Sequence, residues 1–197
     1  MPKVSRAYSA VIMGLGIGAL GIAMLAFPSP AKPAVSIIGA SFAHDCYVAA
    51  KLGAPADPAL ELCTRSIEME PLSRRDLSGT YVNRGILYME ARSYKAAQQD
   101  FQHALGIDPN LGEAVVNLGG ALIAQHRFAD GVAQITRGLT LNPEEPEKAF
   151  FNRALGYEGL DDLKAAYLDY QKAAQLKPTW PAPQTELARF TVATKGR

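Results

Sequence analysis

Three blocks of this chain can be set on one register: Tyr81-Val-Asn-Arg-Gly85-Ile-Leu-Tyr88, Val115-Val-Asn-Leu-Gly119-Gly-Ala-Leu122 and Phe150-Phe-Asn-Arg-Ala154-Leu-Gly-Tyr157. Each is followed by a second helical pattern, Ala97-x3-Phe101, Gly131-x3-Ile135 and Ala166-x3-Tyr170, and each closes on a proline, Pro109, Pro143 and Pro178. The prolines stand 34 and then 35 residues apart, and Gly85, Gly119 and Ala154 keep the same spacing. Within a block, the positions of Tyr81, Arg84, Gly85 and Tyr88 follow the i, i+3, i+4, i+7 spacing of one helix face, which is read as the buried face. The small residue of each first helix and the Ala97, Gly131 or Ala166 of the second let the two helices approach closely. Phe101, Ile135 and Tyr170 fill the space beyond. Proline then ends each unit, because it cannot continue a helix interior.

This period and this order of residue types resemble the tetratricopeptide repeat, a helix–turn–helix unit of about 34 residues. The resemblance implies an all-α, right-handed helical solenoid with full repeats at 78–111, 112–145 and 147–180. A helix over residues 181–193, opened by Trp180-Pro181, is expected to cap the last of them. Residues 41–71 read as a divergent first hairpin. Ser41 is placed to cap its first helix, and Gly53-Ala-Pro55 separates it from the second. On the common register Cys46, Tyr47 and Ala50 fall where Arg84, Gly85 and Tyr88 fall, and Ala59, Cys63 and Pro71 match Ala97, Phe101 and Pro109. The interval to the next closing proline is longer here, so the extra residues are assigned to a loop at 72–77. Arg84 and Arg153 depart from the leucine common in the family, and their stems are expected to pack while the guanidinium groups reach an edge.

Lys3 and Arg6 precede a run at residues 7–27 that contains no charge and ends at Pro28-Ser-Pro30. A positive start followed by an apolar middle is the pattern of a secretory signal, and the run is also just long enough to span a bilayer. Residues 1–31 are therefore read as a signal peptide cut after Ala31, with a retained membrane anchor as the alternative. Either reading puts the repeats outside the cytoplasm, in a periplasm-like compartment, because the charged start stays behind. Residues 32–40 form a linker with an apolar arm, Val35-Ser-Ile-Ile-Gly39. The string Gly16-x-Gly18-x-x-Gly21 matches a dinucleotide fingerprint only as letters, since it lacks the strand and the βα unit that give the motif its function.

Cys46 and Cys63 are the two cysteines of the chain. The register sets them across one helical hairpin, and an exported protein with two cysteines invites a disulfide between them. The alternative is a pair of buried thiols used as small apolar residues.

Composition limits function. The net charge is +1, with 20 basic and 19 acidic residues and no basic stripe, which argues against nucleic acid. There is no G-x-S-x-G, H-E-x-x-H, P-loop or C-x-x-C string, so no enzyme, no cofactor and no metal site is expected. His103 and His126 stand alone on helical patterns, and the acidic pairs Asp161-Asp162 and Glu144-Glu145 read as solvated loop charges.

One constellation rises above that background. Asn83, Asn117 and Asn152 occupy the same place in all three blocks, two residues before the small position. Some tetratricopeptide proteins carry an asparagine ladder here, on the concave side, that holds an extended peptide backbone. An amide suits that task because it offers both a donor and an acceptor. The resemblance implies the same role for these three residues. Val82, Val116, Phe151, Ile86 and Leu155 are read as apolar walls of that groove. The alternative is that these side chains pack between neighbouring first helices. The family's lysine- and arginine-based clamp for an acidic C-terminus is poorly represented, with only Lys148 in a matching place. The leading expectation is a protein-interaction module of the cell envelope that binds an extended peptide. The second is a scaffold that docks through its convex face or its apolar arm, which could also lie in its own groove or a neighbour's and cause self-association. A membrane is engaged only through the N-terminal segment, if it is uncleaved.

Overall fold

The computed structural model describes residues 3–6, 41–54 and 56–193. The expected linker and arm at 32–40 lie outside these residues, as does the 7–27 run. Strand β1 (Lys3–Arg6) comes first, and four helical hairpins follow. They are α1 (Phe42–Leu52) with α2 (Ala56–Met69), α3 (Arg74–Glu90) with α4 (Tyr94–Ile107), α5 (Gly112–Ala124) with α6 (Phe128–Leu139), and α7 (Pro146–Gly159) with α8 (Leu163–Leu176). A short α9 (Pro181–Leu187) and a strand β2 (Phe190–Ala193) close the described chain. Each second helix packs on the first helices either side of it, and successive first helices touch one another. This is the expected helical solenoid.

Local chemistry sets the helix ends. Ser41 caps α1 by accepting the His44 N–H at 3.1 Å. The Glu70 carboxylate returns from the end of α2 to accept the Phe42 and Ala43 N–H groups at 2.8 and 2.9 Å. Two donors left orphaned by helix geometry are thereby satisfied, with an anion at the positive end of the helix dipole. Cys46 and Cys63 are joined as a disulfide between α1 and α2. The four α3 residues before position 78 form its first turn instead of the loop expected at 72–77. The reason is Ser73, whose hydroxyl accepts the Asp76 N–H at 3.1 Å and donates to Asp76 Oδ2 at 2.8 Å.

The core lies between the paired helices. A Cβ on Gly85 would sit 2.5 Å from Phe101 Cε1, and one on Gly119 would sit 2.8 Å from the Gly131 carbonyl oxygen. No side chain fits at either crossing, which is why the register keeps small residues there. The turns inside the last three hairpins share one strained residue, Arg92, His126 and Asp161, with φ of 57°, 61° and 60°. The first hairpin fills the matching turn with Gly53, φ 64°.

Two expectations are corrected. The buried stripe of α3 is Val82, Gly85, Ile86 and Met89, one residue on from the expected face, and Tyr81, Arg84 and Tyr88 are only half-buried. The Arg84 guanidinium reaches toward α2 and α4, with the Tyr81 and Tyr88 rings beside it at 5.6 and 6.0 Å. The expected helix at 181–193 stops at Leu187. Beyond it, Phe190–Ala193 pairs antiparallel with Lys3–Arg6, from Arg6↔Phe190 to Lys3↔Ala193. Phe190-Thr-Val is aromatic and β-branched, which favours a strand. Phe190 also packs beside the rings of Tyr167 and Tyr170, at 5.8 and 6.0 Å. Arg189 fixes this corner by donating to Glu158 Oε2 at 2.9 Å.

Candidate functional site: the asparagine row

The second helices define which side of a first helix is free. On α5, Val116, Gly119 and Ile123 meet α6 through Gly138, Gly131 and Ile135. Leu118 and Leu122 belong to the cluster that holds Ala97, Phe101 and Ala104 of α4, and Gln125 donates to Gln98 of α4 at 3.0 Å. At about 100° per residue these two sets cover adjoining sectors of α5, and Asn117 falls opposite their middle. The asparagine row therefore runs along the side turned away from the second helices, with Asn83 on α3 and Asn152 on α7 in register.

That side is enclosed. Asn83, Asn117 and Asn152 are 0, 3 and 1% exposed. Neither amide atom of Asn83 makes a hydrogen bond. Leaving such a group buried and unsatisfied costs about 1–3 kcal/mol, and native structures rarely carry one without a reason.

The apolar walls are placed differently from the expectation of an open groove. Val82, Val116, Ile86 and Phe151 are buried core residues, and Leu155 is half-buried. Val116 lies against the Cα of Gly138 on α6, where a Cβ would come within 2.6 Å of its Cγ2. Phe151 stacks edge-on to Tyr170 of α8 at 5.3 Å and tilts against Trp180 at 4.9 Å. A residue one before the asparagine is rotated about 100° from it, toward the second helix, so it packs inside its own repeat.

The charged groups have structural partners. Lys148, the one basic residue at a clamp position, pairs with Glu145 at 3.0 Å. Glu113 accepts the Glu144 N–H at 3.1 Å, and Glu158 accepts from the Tyr170 hydroxyl at 2.8 Å. Asp162 caps α8 by accepting the Ala165 N–H at 3.0 Å. His103 stands by the Tyr81 ring at 5.1 Å, and His126 by Phe128 at 5.6 Å. Among the described residues no group of three or more His, Cys, Asp or Glu side chains could hold a metal ion. No described helix is long and apolar enough to cross a membrane.

The sequence reading did not find the pairing of Arg84 with Asp100. Arg84 Nε and Nη2 donate to Asp100 Oδ2 and Oδ1 at 2.8 and 2.9 Å, and Nη1 donates to Thr64 Oγ1 of the preceding hairpin at 3.0 Å. Arg153 repeats this with Asp169 at 2.7 and 2.9 Å and Thr136 at 3.1 Å. The hydrogen bonds to Asp100 and Asp169 raise both guanidinium pKa values further, against the opposing effect of burial. The signal was present in the sequence: an aspartate follows each arginine by 16 residues, and Leu118 replaces arginine where Gln134 replaces aspartate.

Residues 78–111 match the family model for a tetratricopeptide repeat. The chain is 29% identical over 112 residues to the DnaJ homolog subfamily C member 7 homolog of Dictyostelium discoideum, covering 55% of this chain and 21% of that protein. It is 27% identical over 84 residues to the Hsp70-Hsp90 organizing protein 2 of Arabidopsis thaliana, covering 43% of this chain and 14% of that protein. The chain thus spans about a fifth or less of the curated relatives it matches. Among solved structures, the first TPR domain of the human RPAP3 protein superposes with a TM-score of 0.53 at 22% identity. That match covers 56% of this chain and 87% of the domain. At that identity the likeness is one of fold, and the fold is that of a tetratricopeptide solenoid.

Proposed function

We propose that this chain is a non-enzymatic protein-interaction module that holds an extended peptide along its asparagine row. The observation that carries the reading is Asn83, fully buried with its donor and its acceptor both unused. A peptide group presents the complementary acceptor and donor in every residue, so an amide row recognises backbone in preference to any one side chain. Asn117 and Asn152 extend the row across the next two repeats in the same register. Two relatives carry names that support a protein partner, one a DnaJ homolog and the other an organizer of Hsp70 and Hsp90. Because Lys148 is paired with Glu145, an acidic C-terminus is not the favoured ligand.

The location proposed is the cell envelope, outside the cytoplasm. The charged start and uncharged run of residues 1–31 support export, and the Cys46–Cys63 disulfide suits an oxidising compartment.

The test is a crosslinking pull-down from the native host. It compares the wild type with the combined variant Asn83→Ala, Asn117→Ala, Asn152→Ala, after circular dichroism has shown the variant to be folded. A partner captured by the wild type and lost by the variant supports the row as the binding site. Equal capture by both removes it.

A further inference from the structure

Among the described residues, the large apolar side chains that stay exposed are Leu52, Met69, Leu160, Leu168 and Leu176. The first two belong to the first hairpin and the other three to the last, and the middle hairpins carry none. Scattered exposed leucines need no explanation, but these occupy matching places. Leu52 and Leu160 each stand one residue before the left-handed residue of a hairpin turn, Gly53 and Asp161. The middle hairpins have Ala91 and Gln125 there. Met69 and Leu176 each stand two residues before the closing proline, where the middle hairpins have the half-buried Ile107 and Leu141. The second helix of each outer hairpin thus has an exposed apolar residue at both tips, at the same spacing.

The outward ridges between those tips differ in charge. On α8, Leu160, Lys164, Leu168, Lys172 and Leu176 follow one another every four residues, and all are exposed. On α2, Asp57, Glu61 and Glu68 are exposed and fall within about 40° of one another at 100° per residue. Arg65, the basic residue among them, is turned onto the Phe42 ring at 4.1 Å. Two α8 ridges would set lysines against lysines, and two α2 ridges would set carboxylates against carboxylates. Only α8 against α2 brings unlike charges together, so a contact built from these ridges is heterologous. With the helices antiparallel, Leu160 meets Met69 and Leu176 meets Leu52. Lys164 then comes beside Glu68, and Lys172 beside Asp57 and Glu61. The exposed Asp161 and Asp162 come to the side of Arg75, which follows Met69 in the chain. The parallel pairing would instead set Lys172 against Arg65 and Asp162 beside Asp57.

We infer that the α8 ridge of one copy docks on the α2 ridge of a second copy of this chain, with the two helices antiparallel. One helix pair lies at the small end of protein interfaces, so the association is concentration-dependent and weakens with salt. Each docked pair keeps a free α2 at one end and a free α8 at the other, so copies can add until a ring closes. The asparagine rows stay outside this contact, because they lie on the side of the first helices turned away from the second helices.

The test uses the full chain in its native host. A benzoylphenylalanine photo-crosslinker replaces Leu168, which is 53% exposed and so has room for it. Tagged copies carrying the crosslinker are expressed beside tagless copies without it, and the adducts are purified by the tag and identified by mass. The expected adduct joins position 168 to residues 52–69 of a tagless copy. Lys164→Glu with Lys172→Glu in the tagged copy should reduce it by about tenfold or more, since like charges then face each other. Asp57→Lys with Glu61→Lys in the tagless copy should restore it. Circular dichroism on each variant confirms the helical fold. Adducts only with another protein, adducts within one chain, no adduct, or a chain-to-chain adduct that the charge reversals neither reduce nor restore would each overturn the inference. The readout involves no peptide partner, so it stands or falls apart from the pull-down.

Discussion

Arg84 grips Asp100 through two parallel hydrogen bonds, at 2.8 and 2.9 Å, and reaches Thr64 of the preceding hairpin with its remaining nitrogen. One guanidinium thus joins α2, α3 and α4, and Arg153 does the same for α6, α7 and α8. Asp100 is 4% exposed at its side chain and Arg84 16%. Such a pair gives little net stability over a well-packed apolar replacement, but breaking it strands a buried charge. The fork also fixes how one hairpin sits on the next, which sets the line of the asparagine row.

The middle repeat supplies the control. It carries Leu118 and Gln134 in place of the arginine and the aspartate. Arg84→Leu alone should lower stability by about 3–5 kcal/mol, since Asp100 loses its partner. Adding Asp100→Gln should recover most of that loss, because it restores a combination the fold already uses. Urea denaturation of the two single variants and the double variant measures the coupling. Additive losses would show that the fork is not a unit.

Arg92, His126 and Asp161 each hold a left-handed backbone in a hairpin turn. That conformation costs an ordinary L-residue about 1–2 kcal/mol, while glycine adopts it without strain but gives up about 0.5–1 kcal/mol in chain entropy. Arg92→Gly should therefore raise stability by up to about 1 kcal/mol. His126→Gly and Asp161→Gly should gain less, because histidine and aspartate tolerate this region better. Thermal melts of the three variants give the ranking, and a loss at position 92 would show that the arginine side chain outweighs the turn.

The fold was legible because a repeat states its packing rule three times. The small residue at Gly85, Gly119 and Ala154 marks the helix crossing, and the prolines mark the unit ends. The site was less legible because one residue of helical rotation decides between core and groove. Val116 and Phe151 look like groove walls on a wheel centred on Tyr81 and Arg84. The true stripe turns by one position in all three repeats, since Val82, Val116 and Phe151 are equally buried whether or not the repeat carries the arginine. The end of the solenoid was misread for a different reason. Phe190-Thr-Val follows a helical stretch, and nothing nearby announces the strand, whose partner at Lys3–Arg6 lies almost the whole chain away.

The disulfide in the first hairpin acts on the unit with only one stacked neighbour. Cys46 and Cys63 are separated by 17 residues. A loop of that size contributes about 3 kcal/mol in the chain-entropy view. Cys46→Ala with Cys63→Ala should lower the urea midpoint without changing the secondary structure of the remaining repeats. Hydrogen exchange should rise in α1 and α2 first. Uniform faster exchange across all four hairpins would show that the stack unfolds as one body.

Glu90 is the last residue of α3, an exposed side chain whose carboxyl pKa is nevertheless raised by partial desolvation. Its position at the negative end of the helix dipole also disfavours the anion. A carboxyl whose folded pKa lies above its unfolded value favours folding when protonated, and that contribution is lost as pH rises through the folded value. Glu90→Gln should therefore stabilise the protein at neutral pH, and the difference from wild type should vanish below the carboxylate range. Urea midpoints measured from pH 3 to pH 8 give the curve. A difference independent of pH would trace the effect to packing.

Asn83 separates stability from function most directly. Its buried amide makes no hydrogen bond, so Asn83→Leu removes an unsatisfied polar group and keeps a similar volume. If the residue is held for binding, this variant should be more stable than wild type by about 1–3 kcal/mol and should capture less of any peptide partner. An asparagine that served the fold alone would give the opposite, a loss of stability with binding unchanged. Denaturation midpoints and partner capture measured on the same preparation distinguish the two. A stability gain that comes with lost binding is the expected mark of a polar group kept for its ligand at a cost to the fold.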